Sequence, residues 1–355
     1  MTEAIEINGR RIGPAEPVYI IAELSANHNQ DFEQAVRLIY AAKDTGADAV
    51  KLQTYTPETI TIDSDAVQFR IGKGTIWEGR NLYELYGEAY TPWEWQPKLK
   101  AVADNLGLTL FSSPFDSTAV DFLEAMSVPA YKIASFEMID LALIHKVAST
   151  GKPVIVSTGM ATLAEIGEAV DCIRGTGNQQ LALLKCTSAY PAPPEEMNLR
   201  TIGDMAQRFG ALVGLSDHTL GTTVPVVAVS LGACIVEKHF TLSRAVPGPD
   251  SQFSLEPHEF KQMVDAVRTA ERARGEVSYE ASEREQASRI FRRSLFVVSD
   301  MRAGEPFTPE NVRSIRPGYG LPPKFLRDVL GKRAAVDLKR GTPLEWAAVA
   351  DSAHS

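Results

Sequence analysis

Gly214-Leu215-Ser216-Asp217-His218 is a short apolar run that turns polar at its end, and one segment later the pattern returns as Cys234-Ile235-Val236-Glu237-Lys238-His239-Phe240. Both stretches have the length and composition of strands buried on two faces. Side chains alternate along a strand, so Ser216 and His218 share one face, as do Glu237 and His239. If the two strands lie in one parallel barrel, the histidines converge at its mouth. Such a pair suits a labile divalent cation whose remaining positions go to water and substrate oxygens. The alternative is a pair of hydrogen-bonded structural histidines.

Working outward, strand-like runs at 18–23, 48–53, 108–112, 130–135, 153–157, 181–187, 212–217 and 234–239 alternate with amphipathic segments at 32–45, 93–105, 118–126, 141–149, 163–173 and 197–209. The segment between the last two runs reads as amphipathic too, and 257–274 follows the eighth. Eight such units over roughly 250 residues have the size and count of a (β/α)8 barrel. A doubly wound open sheet would bring a glycine-rich phosphate turn after its first strand, and none follows 18–23. The second unit carries a long insertion, 55–92, containing Arg70, Lys73, Trp77 and Arg80, which is expected to cover the mouth or meet a partner.

The barrel is assigned to 1–275 and a polar, charged linker to 276–290. Residues 291–355 read as a small β-rich domain, in which Asp300-Met301-Arg302-Ala303-Gly304-Glu305-Pro306-Phe307 recurs as Asp337-Leu338-Lys339-Arg340-Gly341-Thr342-Pro343-Leu344. Each copy follows an apolar run, which points to internal pseudo-symmetry. Between them, Ile315-Arg316-Pro317-Gly318-Tyr319-Gly320 is a stiff turn that presents an arginine.

A net charge of −9 over 355 residues argues against nucleic acid or an anionic membrane as the partner. It leaves room for a small anionic substrate, because a few lysines set the field within a cleft. The three cysteines, Cys172, Cys186 and Cys234, have no paired metal spacing and read as reduced thiols of a cytoplasmic protein. No run reaches membrane-spanning length, and 1–17 lacks a signal peptide's apolar core.

The strand ends of a (β/α)8 barrel carry its chemistry. Here they hold Glu23; Lys51 and Gln53; Ser112 and Ser113; Lys132, Ser135 and Glu137; Ser157 and Thr158; Lys185, Thr187 and Ser188; Ser216 and His218; Glu237 and His239. A buried lysine is costly unless an anion meets it, so Lys51, Lys132 and Lys185 within a collar of hydroxyls look like a receptor for a small polyanion bearing phosphate and carboxylate. Lys185 could instead pair with a carboxylate such as Glu237. Glu23 and Glu137 could orient the lysines or handle protons. His28 suits helix capping and substrate contact equally, and Tyr90-Thr91-Pro92-Trp93-Glu94-Trp95 reads as packing at a helix start.

Ile20-Ile21-Ala22-Glu23, Ala49-Val50-Lys51-Leu52-Gln53, Ser112-Ser113-Pro114-Phe115, Tyr131-Lys132-Ile133-Ala134-Ser135, Ser157-Thr158-Gly159-Met160, Gly214-Leu215-Ser216-Asp217-His218-Thr219, Glu237-Lys238-His239-Phe240-Thr241 and Pro247-Gly248-Pro249-Asp250 closely resemble the sialic acid synthase family. The resemblance spans nearly the whole chain, since the tail is similar to that family's antifreeze-like (SAF) domain. It implies a TIM barrel followed by a small SAF domain. The implied reaction condenses phosphoenolpyruvate (PEP) with an amino sugar opened to its aldehyde, releasing phosphate and forming a nine-carbon 2-keto acid.

By that resemblance, Lys51, Ser113, Lys132 and Ser135 hold the PEP carboxylate and neighbouring oxygens, while Ser157, Ser188 and Ser216 face its phosphate. A divalent metal ion (manganese, magnesium or cobalt) on His218 and His239 polarises the aldehyde. Glu23 and Glu137 handle protons or sugar hydroxyls; Gln53, Tyr190 and Asp250 orient the sugar; Arg316 reaches an N-acetyl group. In the family that arginine comes from the other subunit, which implies a domain-swapped homodimer.

The branch most resembled is the one that makes pseudaminic acid from 2,4-diacetamido-2,4,6-trideoxy-L-altrose. Phe136 and Ser188 stand where the N-acetylneuraminate branch carries glycine and asparagine, and a phenylalanine at the mouth favours a 6-methyl sugar with a second N-acetyl group. The same chemistry on the legionaminic or N-acetylneuraminate precursor, a non-catalytic sugar-binding module, and a Schiff-base aldolase on Lys132 or Lys185 are the other readings.

Overall fold

A computed structural model describes residues 4–350. An antiparallel hairpin, β1 (Ile5–Ile7) and β2 (Arg10–Ile12), comes first. Eight strands follow: β3 (Tyr19–Glu23), β4 (Ala49–Thr54), β5 (Thr109–Pro114), β6 (Tyr131–Ile133), β7 (Val154–Ser157), β8 (Leu181–Cys186), β9 (Leu212–Asp217) and β10 (Ile235–His239). They pair in sequence order, and β10 returns to β3 to close an all-parallel barrel. The strands are the eight read from the sequence, with β6 ending before Ala134 and Ser135, which pass into the following loop.

Nearly continuous burial along these strands is what a barrel wrapped in helices requires. The helices start on side-chain caps that satisfy otherwise unpaired backbone N–H groups. Asp31 accepts from Gln34 N at 3.1 Å to open helix Phe32–Asp44, and a Thr162/Glu165 capping box opens helix Leu163–Gly175. The segment expected to be amphipathic between β9 and β10 is helix Thr223–Ser230, apolar around most of its circumference because it is wedged between β9 and helix Pro257–Arg274. Gly214 serves packing inside the barrel: a Cβ there would lie 2.5 Å from Ile235 O and 2.6 Å from Leu184 Cδ2.

The hairpin plugs the barrel's lower end. Ile5, Ile7 and Ile12 are buried in one cluster with the inward-facing Tyr19, Ile21, Ala49 and Phe111. At the upper end the insertion forms a cover containing helices Pro57–Ile60 and Leu82–Ala89. Trp77 Nε1 donates to Pro249 O at 3.0 Å, tying this cover to the loop that follows β10. Its cations stay outside, Arg80 pairing with Glu88 at 2.6 Å and Arg70 with Asp65 at 3.6 Å.

The chain divides into two units, Met1–Gly275 and Glu276–Ser355. The segment 276–290, expected to be a linker, contains a short helix, Glu283–Ala287, opened by a Ser282/Glu285 capping box. In the second unit β11 (Ser294–Val297) pairs antiparallel with β12 (Val312–Ile315). The repeat is real symmetry with an offset of 37 positions. Gly304 N donates to Ala334 O and Gly341 N to Val297 O, both at 2.8 Å; Ala303 N donates to Asp337 and Arg340 N to Asp300, also at 2.8 Å. Each bond thus has its image in the other copy, and Met301 and Leu338 bridge across the centre of a core that includes Phe307 and Leu344. No helix among the described residues is long and apolar enough to cross a membrane.

Candidate active site

At the C-terminal ends of the barrel strands, under the insertion, lies a cavity of about 530 Å³. One wall is a buried array of charges. Lys51 Nζ stands 2.5 Å from Glu23 Oε2, 3.4 Å from Glu237 Oε1 and 3.3 Å from the Ser113 hydroxyl. Lys132 Nζ donates to Ser157 Oγ at 2.6 Å and to Ile133 O at 3.2 Å, with Glu237 Oε1 at 3.7 Å. Register explains the cluster, because Lys51 pairs with Glu23 across β3 and β4, and Glu237 with Ser216 across β9 and β10. Beside it, Gly159 N donates to Ser135 Oγ at 3.2 Å. A Cβ on Gly159 would come within 2.2 Å of Ser188 Oγ and 2.6 Å of Ser135 Oγ, so the glycine keeps a small hydroxyl-lined cradle open.

The adjoining wall is imidazole and aromatic, since His239 pairs with Glu23 across β10 and β3. The rings of His218 and His239 lie 5.3 Å apart, with Tyr190 4.3 Å from His218 and Phe253 4.8 Å from His239. Trp77 packs on Tyr190 at 5.5 Å and on Phe253 at 6.4 Å. His218 Nδ1 donates to Thr187 O at 3.0 Å, whereas His239 Nδ1 is buried without a partner. At the rim Asp250 accepts from Ser25 Oγ, and Gln53 Nε2 donates to Glu23 Oε1 at 3.2 Å and Ser25 Oγ at 2.9 Å.

The two lysines share two carboxylates with different protonation behaviour. Burial pushes Glu23 up to about 7 against the pull of Lys51, and the neighbouring charge of Glu237 adds to the rise. Glu237 is buried as deeply, but Lys132 and Lys51 together hold it below its ordinary value. Burial lowers Lys132, while Lys51 is kept charged against burial by Glu23 and Glu237. Glu237 is therefore the permanent counterion, and Glu23 exchanges its proton near neutrality. Glu137 is also pushed up to about 7, by burial first. Burial and the surrounding cations hold His239 well below the usual imidazole range, so it is neutral at pH 7.

Of the residues expected at the site, Glu23, Lys51, Gln53, Lys132, Ser135, Phe136, Glu137, Ser157, Tyr190, Ser216, His218, His239 and Asp250 all line this cavity. Ser113 is buried behind Lys51, and Ser188 is part of the cradle beside Gly159. Arg316 is exposed in the second unit. Lys185 is a correction: it faces away from the cavity, donating to Cys186 O at 2.7 Å and Thr187 Oγ1 at 3.2 Å. Strand alternation instead turns Cys186 inward. Ser112 and Thr158 also point outward, to Thr54 and to Leu184 O. His28 is a packing residue, with Nε2 3.1 Å from Thr91 Oγ1 and Nδ1 accepting from Gln30 N.

The lining residues outside the expected set include Ser25, Trp77, Cys186 and Phe253. Glu237, expected at its strand end on the face of His239 and as a possible partner for Lys185, is the hub of the lysine wall. Its spacing of two from His239 places it on the inner face, and its contacts with both lysines are what the spacing does not reveal.

A (β/α)8 barrel whose mouth sets a polyanion receptor against a pair of imidazoles has the construction of an enzyme that joins an anionic substrate to a second molecule. The NeuB family model matches residues 38–279, the SAF domain model matches residues 292–350, and the chain belongs to the NeuB family. The pseudaminic acid synthase of Campylobacter jejuni is 48% identical over 328 residues, 92% of this chain and 95% of that one. The N,N'-diacetyllegionaminic acid synthase of Legionella pneumophila is 36% identical over 347 residues, 96% and 97% of the two chains. Among solved structures, the N-acetylneuraminic acid synthetase of Leptospira borgpetersenii in complex with citrate superposes with a TM-score of 0.73 at 30% identity, covering 81% of this chain and 95% of that one.

Proposed function

We propose that this protein condenses PEP with 2,4-diacetamido-2,4,6-trideoxy-β-L-altropyranose, taken in its open-chain aldehyde form, and water, to give pseudaminic acid and phosphate. The observation that carries the reading is the presence, in one cavity, of Lys51 and Lys132 together with two imidazoles. The higher identity to the pseudaminic acid synthase supports the choice of sugar. So does the apolar wall of Trp77, Phe136, Tyr190 and Phe253, which matches a 6-methyl group better than a hydroxyl.

Lys51 and Lys132 bind the PEP carboxylate, with Ser113 and Ser135 fixing the ammonium and neighbouring oxygens, and Ser157, Ser188 and Ser216 receive the phosphate. C3 of PEP attacks the aldehyde carbon. Positive charge develops at C2 close to the ionised Glu237, and water adds there before phosphate leaves by C–O cleavage. Glu23 and Glu137, both near neutrality in pKa, exchange protons with the sugar oxygen and the attacking water. Gln53, Tyr190 and Asp250 orient the sugar.

His218 and His239 fit a divalent metal. The first donates its Nδ1 proton to Thr187 O, leaving the Nε2 lone pair, and the second is neutral with an orphaned Nδ1. Burial pulls the His218 pKa down, but Cys186 and the Thr187 carbonyl raise it overall, so a cation competes there with a proton. Among the described residues no group of three His, Cys, Asp or Glu gathers, so His218 and His239 would hold the ion with water and substrate oxygens supplying its other ligands. A bound manganese, magnesium or cobalt ion supplies Lewis-acid polarisation of the aldehyde oxygen.

Arg316 acts in this reading from the tail of a second copy in a domain-swapped homodimer. Mixing inactive Lys132→Ala and Arg316→Ala chains then restores turnover; no restoration removes the shared site. The protein works in the cytoplasm, where PEP is made. The deciding assay measures phosphate release from PEP with manganese and each sugar in turn, the altrose derivative against the legionaminic and N-acetylneuraminate precursors. No release with the altrose sugar overturns the proposal.

A further inference from the structure

Two motif residues, Asp217 and Lys238, take no part in the cavity, although each directly precedes one of the paired histidines. Strand alternation turns both to the outer face of the barrel, where their side chains are wholly buried. Lys238 Nζ donates to Asp217 Oδ2 at 2.5 Å and to Thr219 O at 2.5 Å. Asp217 Oδ1 in turn accepts from Thr219 N at 2.9 Å.

The position of these bonds gives them their meaning. The backbone ladder between β9 and β10 runs from Gly214/Ile235 to Asp217/Lys238 and stops. His218 is the next residue, so no β10 backbone group holds it. One ammonium instead grips the residues on both sides of it, through the Asp217 carboxylate and the Thr219 carbonyl. The same lysine is covalently next to His239. A buried ion pair is seldom retained for stability, because apolar replacements of equal volume are often neutral or better, so a placement role accounts for it more directly.

We propose that Lys238 is a positioning residue that sets His218 against His239 for the divalent cation, with Asp217 and the Thr219 carbonyl as its levers. The inference rests on the metal reading above and concerns how the pair is held, not whether it binds.

The test uses the full chain and reads metal binding directly. Mn²⁺ affinity is measured by electron paramagnetic resonance of the free ion, and PEP affinity by calorimetry, for the parent, Lys238→Met, and the double variant Lys238→Met/Asp217→Asn. The double variant leaves no unpaired buried charge and keeps the oxygen that accepts from Thr219 N, so it is the decisive chain if the single variant is too unstable to purify. The expected result is a loss of Mn²⁺ affinity of roughly 10- to 100-fold, the usual effect of removing a group that orients a metal ligand. PEP affinity stays within about twofold, because the lysine wall is untouched. A folded double variant with parental Mn²⁺ affinity overturns the proposal. So does an equal fall in Mn²⁺ and PEP affinity, or failure of the double variant to fold, since each assigns the pair to the fold at large. A parent that binds no Mn²⁺ removes the metal reading and this inference with it.

Discussion

Glu237→Gln separates a buried counterion from the lysines it serves while keeping the side chain's shape. Its carboxylate lies 3.4 Å from Lys51 and 3.7 Å from Lys132. At an effective dielectric constant of about 20, each contact is worth about 4 to 5 kcal/mol of Coulomb energy. The consequences differ, because Lys51 keeps Glu23 at 2.5 Å while Lys132 keeps only the neutral acceptors Ser157 Oγ at 2.6 Å and Ile133 O at 3.2 Å. The expected loss of stability is about 3 to 5 kcal/mol, the range for leaving one charge of a buried pair uncompensated. Lys132, already lowered by burial, then releases its proton more readily still. Above the lowered pKa the unfolded chain binds the proton that the folded chain has given up, so the stability deficit narrows as pH rises toward the ordinary lysine range. PEP binding runs the other way, since it needs the ammonium: KM for PEP climbs with pH in the variant at a lower pH than in the parent. Denaturant unfolding and steady-state kinetics from pH 6 to 9.5 read both effects, and saturating PEP is expected to recover part of the lost stability. Superimposable KM profiles with an unchanged denaturation midpoint would refute the account of Glu237 as permanent counterion.

Glu23, pushed up to about 7, is expected to take up protons when an anion binds beside it, so calorimetry of PEP binding near pH 7 shows a heat that varies with buffer ionisation enthalpy. In Glu23→Gln that dependence disappears. Glu137 binds its proton more tightly folded than unfolded, with a pKa of about 7 against 4.5, so its contribution to stability is full below the lower value and is lost as pH rises through the upper one. Glu137→Gln is expected to flatten the fall in unfolding free energy across that window and to remove one limb of the pH–rate profile. Gly159→Ala sets a methyl 2.2 Å from Ser188 Oγ and 2.6 Å from Ser135 Oγ, and an increase in KM for PEP of roughly 10- to 100-fold is expected as a charge-assisted bond is lost. Trp77→Ala is expected to raise KM for the sugar roughly tenfold, the worth of one aromatic contact, with KM for PEP unchanged.

Strand periodicity made the barrel legible, and the site where parity was applied. Spacing of two placed Ser216, His218, Glu237 and His239 on the inner face, where they line the cavity. A polar strand end alone does not say which residues face in: parity along β8 sends Lys185 and Thr187 outward and Cys186 inward. The hairpin has its own local signal, since Asn8-Gly9 between Ile7 and Arg10 is a favoured two-residue turn, and both residues take positive φ, 50° and 77°. Trp77 was not legible as a lining residue: its place depends on a bond to Pro249 O across 172 positions, and nothing periodic marks it. Ser25, a non-glycine residue at φ 44°, likewise reaches Asp250 through a backbone turn that no local pattern encodes.

The same alternation divides the chemistry of β9 and β10 between two faces. Inward residues Ser216, His218, Glu237 and His239 meet the cavity, and outward residues Asp217 and Lys238 meet each other. Two ammonium groups on the inner face can stay buried before any substrate arrives only because carboxylates already compensate them. Those carboxylates must then give way to the substrate anion. An array of fixed charges alone would make that exchange costly, since PEP would bring further negative charge against Glu23 and Glu237. In the proposed reaction, a carboxyl pushed up to about 7 would resolve the conflict by taking a proton as the anion enters, while Glu237, held ionised by both lysines, would keep the field that steadies positive charge at C2. The outer ion pair faces no such exchange. Its partners are both internal and wholly buried, which suits a clamp whose task is the same in the empty and occupied site.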